Sequence, residues 1–424
     1  EKWSEPALFE YVLINSDNAR ELYMEKKDKQ GKLSQLVAAA DSDKELSAVI
    51  TGYRGGLKKM VIPAEVDGFP VEVISSGACA ADKDLQTVIF PSSTYYIMEQ
   101  AFINCSNFTE IYMYDSLNYV DYNAFGTYSN IKTMHINAKL PPVYGENESA
   151  QLANKLEFLM RNEDEEKTVI FGSCSSWYGI HAKTFGKETG RLTFNMGVEG
   201  DTCVLFQLDL IKRYMRDGDS LIYVCDIGSP FLMLYDLSFD QRTYRLVEFN
   251  YDLLAFVDLT RYEKVIPSLN EYLVTKRNAL ELGKAGTYED HLDYMSEYGD
   301  MEKERVKVDY ELRYTAATAL EMRQWEIFDK MKSAFREFTV IGIDIYCAFG
   351  TIDEAVITRE HVEEVNELFY SEFAAKEVPA TLVAELYSSV LSSKYFCDYP
   401  YRLNTEGSRY YTQLFIENFK SISV

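Results

Sequence analysis

Three segments of the N-terminal third start 23 residues apart and open alike: Leu85-Gln-Thr-Val-Ile-Phe-Pro, Phe108-Thr-Glu-Ile-Tyr-Met-Tyr and Ile131-Lys-Thr-Met-His-Ile-Asn. Each begins with an apolar residue and runs on as a short alternating strand. Ala101-Phe102 and Ala124-Phe125 recur at the same offset, as do Asn107 and Asn130. A fixed period of this length with one short strand per period predicts stacked repeats, because a single unit cannot bury its own apolar face. Few other folds are compatible with that pattern.

A longer unit precedes these, Ile50-Thr-Gly-Tyr-Arg-Gly followed by Val61-Ile-Pro-Ala-Glu-Val-Asp-Gly-Phe-Pro-Val-Glu-Val-Ile. Its Thr-Gly-Tyr, Ile-Pro and Gly-x-Pro-Val elements resemble the opening of BspA-like leucine-rich repeats of bacterial surface proteins, over roughly residues 46–140. Ala78-Cys79 departs from the usual Ala-Phe. The resemblance implies an exported, cell-surface chain with a binding or spacing role. The chain opens on Glu1 rather than Met, which fits removal of a signal peptide and fits a trimmed chain equally.

Apolar spacing at Leu8, Val12, Leu13, Leu33, Leu36 and Val37 predicts a helical cap over 1–45, ahead of repeats at 46–145. The Pro- and Gly-containing stretch 141–147 ends the repeats, and a linker helix is expected within 146–166. From 167 to 424 strand-like runs (168–171, 192–195, 221–225, 340–349) alternate with helix-like ones (180–189, 202–216, 316–337, 359–374, 406–420). That alternation predicts an α/β domain with a mostly parallel sheet covered on both faces, active groups lying at the carboxyl ends of its strands. A helical insertion is expected near 235–310. The fold class is therefore α/β: a capped leucine-rich-repeat β-solenoid followed by a three-layer α/β/α domain.

The chemistry-bearing motif is Phe171-Gly172-Ser173-Cys174, which follows the first strand of the second domain and enters a helix. With Asn195-Met196-Gly197, Asp226-Ile227-Gly228-Ser229 and Asp398-Tyr-Pro-Tyr-Arg402-Leu-Asn404-Thr-Glu-Gly407, it resembles the block order of SGNH/GDSL hydrolases, in the branch of cell-wall and polysaccharide acyl transfer. The resemblance puts Cys174 on the nucleophile position, Gly197 on the oxyanion loop, Asp398 on the acid and Arg402 on the histidine base. Ser173, Asn195, Asp226 and Asn404 are the ligand-binding candidates around them.

Arginine stays protonated and cannot act as the base. None of the four histidines (His135, His181, His291, His361) fits the lost position by sequence. A thiol at a helix N-terminus beside Arg402 would have a lowered pKa and act as thiolate, although its leaving group would lack an acid. A relic site, cysteine chemistry and a misplaced set of blocks all remain open on the residues alone. So do three roles: a surface binder of glycan or protein, an acyl-ester hydrolase or acyltransferase using Cys174, and a structural adhesion module.

The formal charge of −24, with no basic stretch, argues against a nucleic-acid partner. No apolar run reaches the length of a spanning helix. Seven cysteines form no CxxC and no metal spacing, several lie inside apolar runs, and buried free thiols are expected. No cofactor is implied.

Overall fold

The computed structural model describes residues 4–15, 46–126, 130–144, 151–198, 203–227, 239–285, 294–310, 316, 318–324 and 326–422. Gly228, Ser229, His291 and residues 16–45 lie outside these. The chain divides into two units, one formed by 1–143 with 238–286 and the other by 144–237 with 287–424.

In the first unit the strands are β1 (Phe9–Asn15), β2 (Leu46–Tyr53), β3 (Lys59–Val61), β4 (Glu65–Val66), β5 (Phe69–Ile74), β6 (Thr87–Ile89), β7 (Tyr96–Ile97), β8 (Glu110–Tyr114), β9 (Tyr119–Val120) and β10 (Thr133–Asn137). They make two sheets, one ordered β1-β2-β5-β7-β9 with β4 beside β5, the other β10-β8-β6-β3. Each period adds one strand to each sheet. The sequence period is the strand register: Thr87 pairs with Glu110 and Glu110 with Thr133, all in parallel. Phe102 fills the interior, its ring 5.4–5.9 Å from those of Phe90, Phe108 and Phe125. Cys79, in the Ala-Phe position of an earlier unit, is buried as well. The recurring asparagines tie each turn to the one before it. Asn107 Nδ2 donates to Lys83 O at 2.7 Å, and Asn130 Nδ2 to Ser106 O at 3.2 Å.

Two expectations are corrected here. Residues 9–15 are a strand, not part of a helical cap. Their run of aromatic and β-branched residues pairs antiparallel with Leu46–Tyr53, a partner that local spacing does not reveal. Residues 238–286, expected inside the second domain, belong to the repeat unit. Their helix Val265–Glu281 lies on the last turn of repeats. Asn270 accepts from Val120 N at 2.9 Å and donates to Val120 O, closing the edge of β9. Arg277 donates to Leu117 O and Asn118 O at 2.7 and 2.8 Å. Stacked repeats need a terminal element that satisfies the last exposed edge, and this segment supplies it.

In the second unit β11 (Lys167–Gly172), β12 (Leu192–Asn195), β13 (Ser220–Cys225), β14 (Asp344–Phe349) and β16 (Thr381–Leu382) form a parallel sheet in the order β12-β11-β13-β14-β16. A smaller parallel pair joins β15 (Ile352–Asp353) to β17 (Val390–Leu391). The helices are α1 (Gln151–Arg161), α2 (Cys174–Gly179), α3 (Ala182–Thr189), α4 (Val204–Lys212), α5 (Ala319–Gln324), α6 (Ile327–Thr339), α7 (Arg359–Lys376) and α8 (Thr405–Ile422).

Every residue of β11 and β13 is buried, as expected for strands covered on both faces. Ile222 and Val224 share a cluster with Phe185 of α3 and Phe415 of α8. Tyr223, on the opposite face, packs edge-on against Phe335 of α6 at 5.8 Å. The expected strand 340–349 is shorter at its start: 340–343 form a turn with Gly342 at φ 82°, and β14 begins at Asp344. The helical run expected over 316–337 is interrupted at Glu326, whose φ is 53°. Among the described residues no helix is long and apolar enough to cross a membrane.

Candidate functional site

The sheet order places strands one, two and three of this unit as 2-1-3. The direction in which successive strands are added therefore reverses between β11 and β13, and ligands of open parallel sheets bind at the carboxyl ends there. Cys174 follows β11 and Asp226 follows β13. Ser173 caps α2, its side chain accepting from Ser175 N at 3.4 Å. Asp226 accepts a hydrogen bond from Ser175 Oγ, and both residues are buried. Gly350, at the end of β14, lies against them so closely that a Cβ would overlap the Asp226 carboxyl and the Ser175 hydroxyl.

Arg402 comes to the same place. Its guanidinium charge acts on the Cys174 sulfur, and it pairs with Asp398 at 3.6 Å. Cys174, Arg402 and Asp398 are thus brought together from sequence positions more than 200 apart. Two guanidinium groups approach the Tyr178 ring, Arg305 at 4.8 Å and Arg402 at 5.3 Å from its centre.

The electrostatics oppose a thiolate. Burial raises the Cys174 thiol and the charge of Asp226 adds to it. The Arg402 charge and the hydrogen bonds from Ser173 and Arg402 offset only part, leaving it pushed up to about 12. This corrects the expectation of a lowered pKa. The thiol is 4% exposed, and α2 has only six residues, so loss of hydration outweighs the cation and the helix end. Asp226 is pushed up to about 7 by burial, against the hydrogen bond from Ser175.

The other candidates serve the backbone. Asn195 Nδ2 donates to Ser176 O at 3.0 Å and Ile180 O at 2.8 Å, and its Oδ1 accepts from Gly197 N at 2.9 Å. The Gly197 N–H, the oxyanion donor by resemblance, is thereby engaged inside the protein. Gly197 is glycine because a Cβ would overlap the Ser176 hydroxyl. Its carbonyl accepts from Lys155 Nζ at 2.6 Å. Asn404 Nδ2 donates to Lys394 O at 2.8 Å, and its Oδ1 accepts from Gly407 N in the first turn of α8 at 2.8 Å.

His181 does not share a helix with Cys174. α2 ends at Gly179, and His181 precedes α3, 3.4 Å from buried Asp300. All seven cysteines are buried and free. No group of three or more His, Cys, Asp or Glu suited to a metal occurs among the described residues.

Sequence reasoning missed Lys155, Tyr178 and Arg305. The signal for Arg305 lay in Met301-Glu-Lys-Glu-Arg-Val, where cations and carboxylates alternate.

In the first unit the open face of the β10-β8-β6-β3 sheet carries its own constellation. Tyr112 and His135 stack at 4.0 Å, and Glu110 accepts from Thr87 at 2.9 Å and Tyr112 at 3.1 Å. Burial raises the Glu110 carboxyl. Hydrogen bonds from Thr87, Tyr112 and His135 outweigh this and bring it below its ordinary value.

Residues 58–146 match the BspA type leucine-rich repeat region, in six copies. Among solved structures the chain is similar to a T. pallidum leucine-rich repeat protein, TpLRR. The identity is 22% over 31% of this chain and 49% of that one, with a TM-score of 0.24. The chain thus spans about half the length of that protein. A leucine-rich repeat protein from Bacteroides capillosus ATCC 29799 is 21% identical over 22% of this chain and 87% of that one, with a TM-score of 0.18. No curated protein matches the chain.

Proposed function

We propose that the chain is an exported bacterial cell-surface protein that binds glycan or protein through its repeats, joined to an SGNH-like α/β domain that binds and does not turn over. BspA-type repeats are typically surface-associated protein-binding modules, which supports the first half. The half-buried Tyr112–His135 stack, with Thr87 and Glu110 beside it, is the surface we assign to that contact. Aromatic rings with adjacent hydrogen-bonding groups are common at such contacts.

The second half rests on one observation: the charged group that acts on Cys174 from the last block is the Arg402 guanidinium, and the resemblance assigns that position to the base. An acyl transfer needs a group that takes the nucleophile's proton and returns it to the leaving group. Arg402 does neither. The sheet order 2-1-3-4-5 and the meeting of Cys174, Arg402 and Asp398 at its carboxyl end support descent from a hydrolase of the SGNH type.

Hydrolysis of p-nitrophenyl acetate tests this. Wild type and Cys174→Ala are expected to release nitrophenolate at the same background rate. Turnover in the wild type that Cys174→Ala abolishes would overturn the proposal in favour of a cysteine esterase.

A further inference from the structure

A pocket of about 440 Å³ lies in the second unit beside Tyr178, and the segment 301–308 forms one wall of it. Met301, Lys303 and Arg305 line it, whereas the alternate residues Glu302 and Glu304 do not. In a chain of net charge −24, this wall gives the pocket its two cations and keeps the carboxylates of Glu302 and Glu304 out of the lining.

The wall is fixed. Glu302 N donates to Tyr294 O at 2.8 Å, Arg305 N to Thr405 Oγ1 at 2.8 Å and Val308 N to Cys397 O at 2.9 Å. The hairpin before it is anchored by buried Asp300, whose carboxylate accepts from Ala182 N and Lys183 N at 2.5 and 3.0 Å. Lys303 lies 4.4 Å from the ring centre of Tyr294. The one carboxylate of the lining, Asp398, is paired with Arg402. Gln151, 3% exposed, also lines the pocket, and its Oε1 has no hydrogen-bond partner among the described residues. Val306 and Val308 add apolar surface.

We infer that this pocket binds a sugar acid, with its carboxylate between Lys303 and Arg305, a hydroxyl donating to Gln151 Oε1, and the less polar ring face on Met301, Val306 and Val308. A planar guanidinium with a nearby ammonium matches a carboxylate. A buried, unpartnered amide oxygen calls for a donor that a plain fatty acid lacks. The volume is that of small-molecule sites.

The inference deepens the binding role of this domain and rests on that reading, yet the two fail separately. Cys174 does not line the pocket, so ester turnover would overturn the reading of the domain without changing glucuronate binding.

The test is a ligand-observed NMR titration of the full chain at low salt with D-glucuronate, D-glucose and inorganic phosphate. Glucuronate is expected to bind at least tenfold tighter than glucose and tighter than phosphate. Lys303→Glu, at an exposed position where folding is unaffected, is expected to weaken glucuronate tenfold or more, and Lys303→Gln by less. Equal binding of glucose and glucuronate, tighter binding of phosphate, no glucuronate binding, or indifference to Lys303→Glu would each overturn the assignment.

Discussion

Lys276→Met is expected to destabilise the repeat unit by about 3–5 kcal/mol, the cost of leaving buried charges without their partner. Lys276 is 1% exposed and lies 3.0 Å from Asp115 and 2.9 Å from Glu248, both fully buried. The two carboxylates are committed elsewhere and cannot turn away. Asp115 Oδ1 accepts from Lys139 N and Leu140 N at 2.6 and 2.9 Å. Glu248 Oε2 accepts from Val143 N at 3.0 Å, and its Oε1 from Tyr272 OH at 3.1 Å.

Without the ammonium, two carboxylates face one another in a site that water does not reach, and one must take up a proton or the helix Val265–Glu281 must lift. Urea unfolding followed by amide exchange in β8 and β10 reads the loss. Arg161→Ala removes an exposed i,i+4 pair with Glu157 and is expected to change stability by less than about 0.5 kcal/mol. A loss below about 1 kcal/mol for Lys276→Met would mean that the segment 238–286 does not cap the repeats as described.

Lys167→Met is expected to have a similar effect on the second unit, about 3 kcal/mol or more. Lys167 and Asp219 are both fully buried with Nζ and Oδ2 3.0 Å apart, at the end of β11 opposite Cys174. Asp219 also accepts from Lys167 N at 2.9 Å and Arg216 N at 3.0 Å, so its carboxylate is fixed. Lys167 Nζ further donates to Glu163 O and Glu165 O at 3.4 and 3.2 Å, which holds the turn leading into the strand. Methionine keeps the length of the side chain and removes the charge and three donors. Amide exchange in β11 and β13 should speed up while the exchange of β8 and β10 keeps its wild-type rate. Faster exchange in the repeats alone would contradict the division of the chain.

The repeat register was legible in the sequence because a period of 23 residues is a geometric statement: one turn of chain per period, hence strand on strand. The recurring Asn107 and Asn130 were legible for the same reason, since each bonds the turn before it. The parallel sheet was legible in its buried apolar runs.

Three things were not. Phe9–Asn15 is a strand only because a partner distant in sequence pairs with it, and local spacing carries no trace of that. Lys276 is the single lysine of its helix, and nothing in the sequence of Val265–Glu281 marks it as buried. The state of Cys174 was the largest divergence. The helix end and Arg402 argued for a thiolate only in one of three readings left open, whereas the decisive influence is burial among Trp177, Tyr178 and Met301, which only the folded arrangement reveals. Asn195 and Asn404 looked like ligand-binding amides for a related reason. A side-chain amide at the end of a strand or ahead of a helix reads the same whether it faces a ligand or, as here, its own backbone.

The account depends on Cys174 being a protonated thiol, and alkylation of the native chain by iodoacetamide measures that directly. With the thiol at about 12, roughly one molecule in ten thousand is thiolate at pH 8. Mass spectrometry after treatment between pH 6 and 9 should therefore find Cys174 unmodified until the chain is unfolded in urea, and then modified as fast as an ordinary thiol. Rapid modification of Cys174 in the folded chain, with a midpoint near pH 7, would contradict the account and restore it as a working nucleophile.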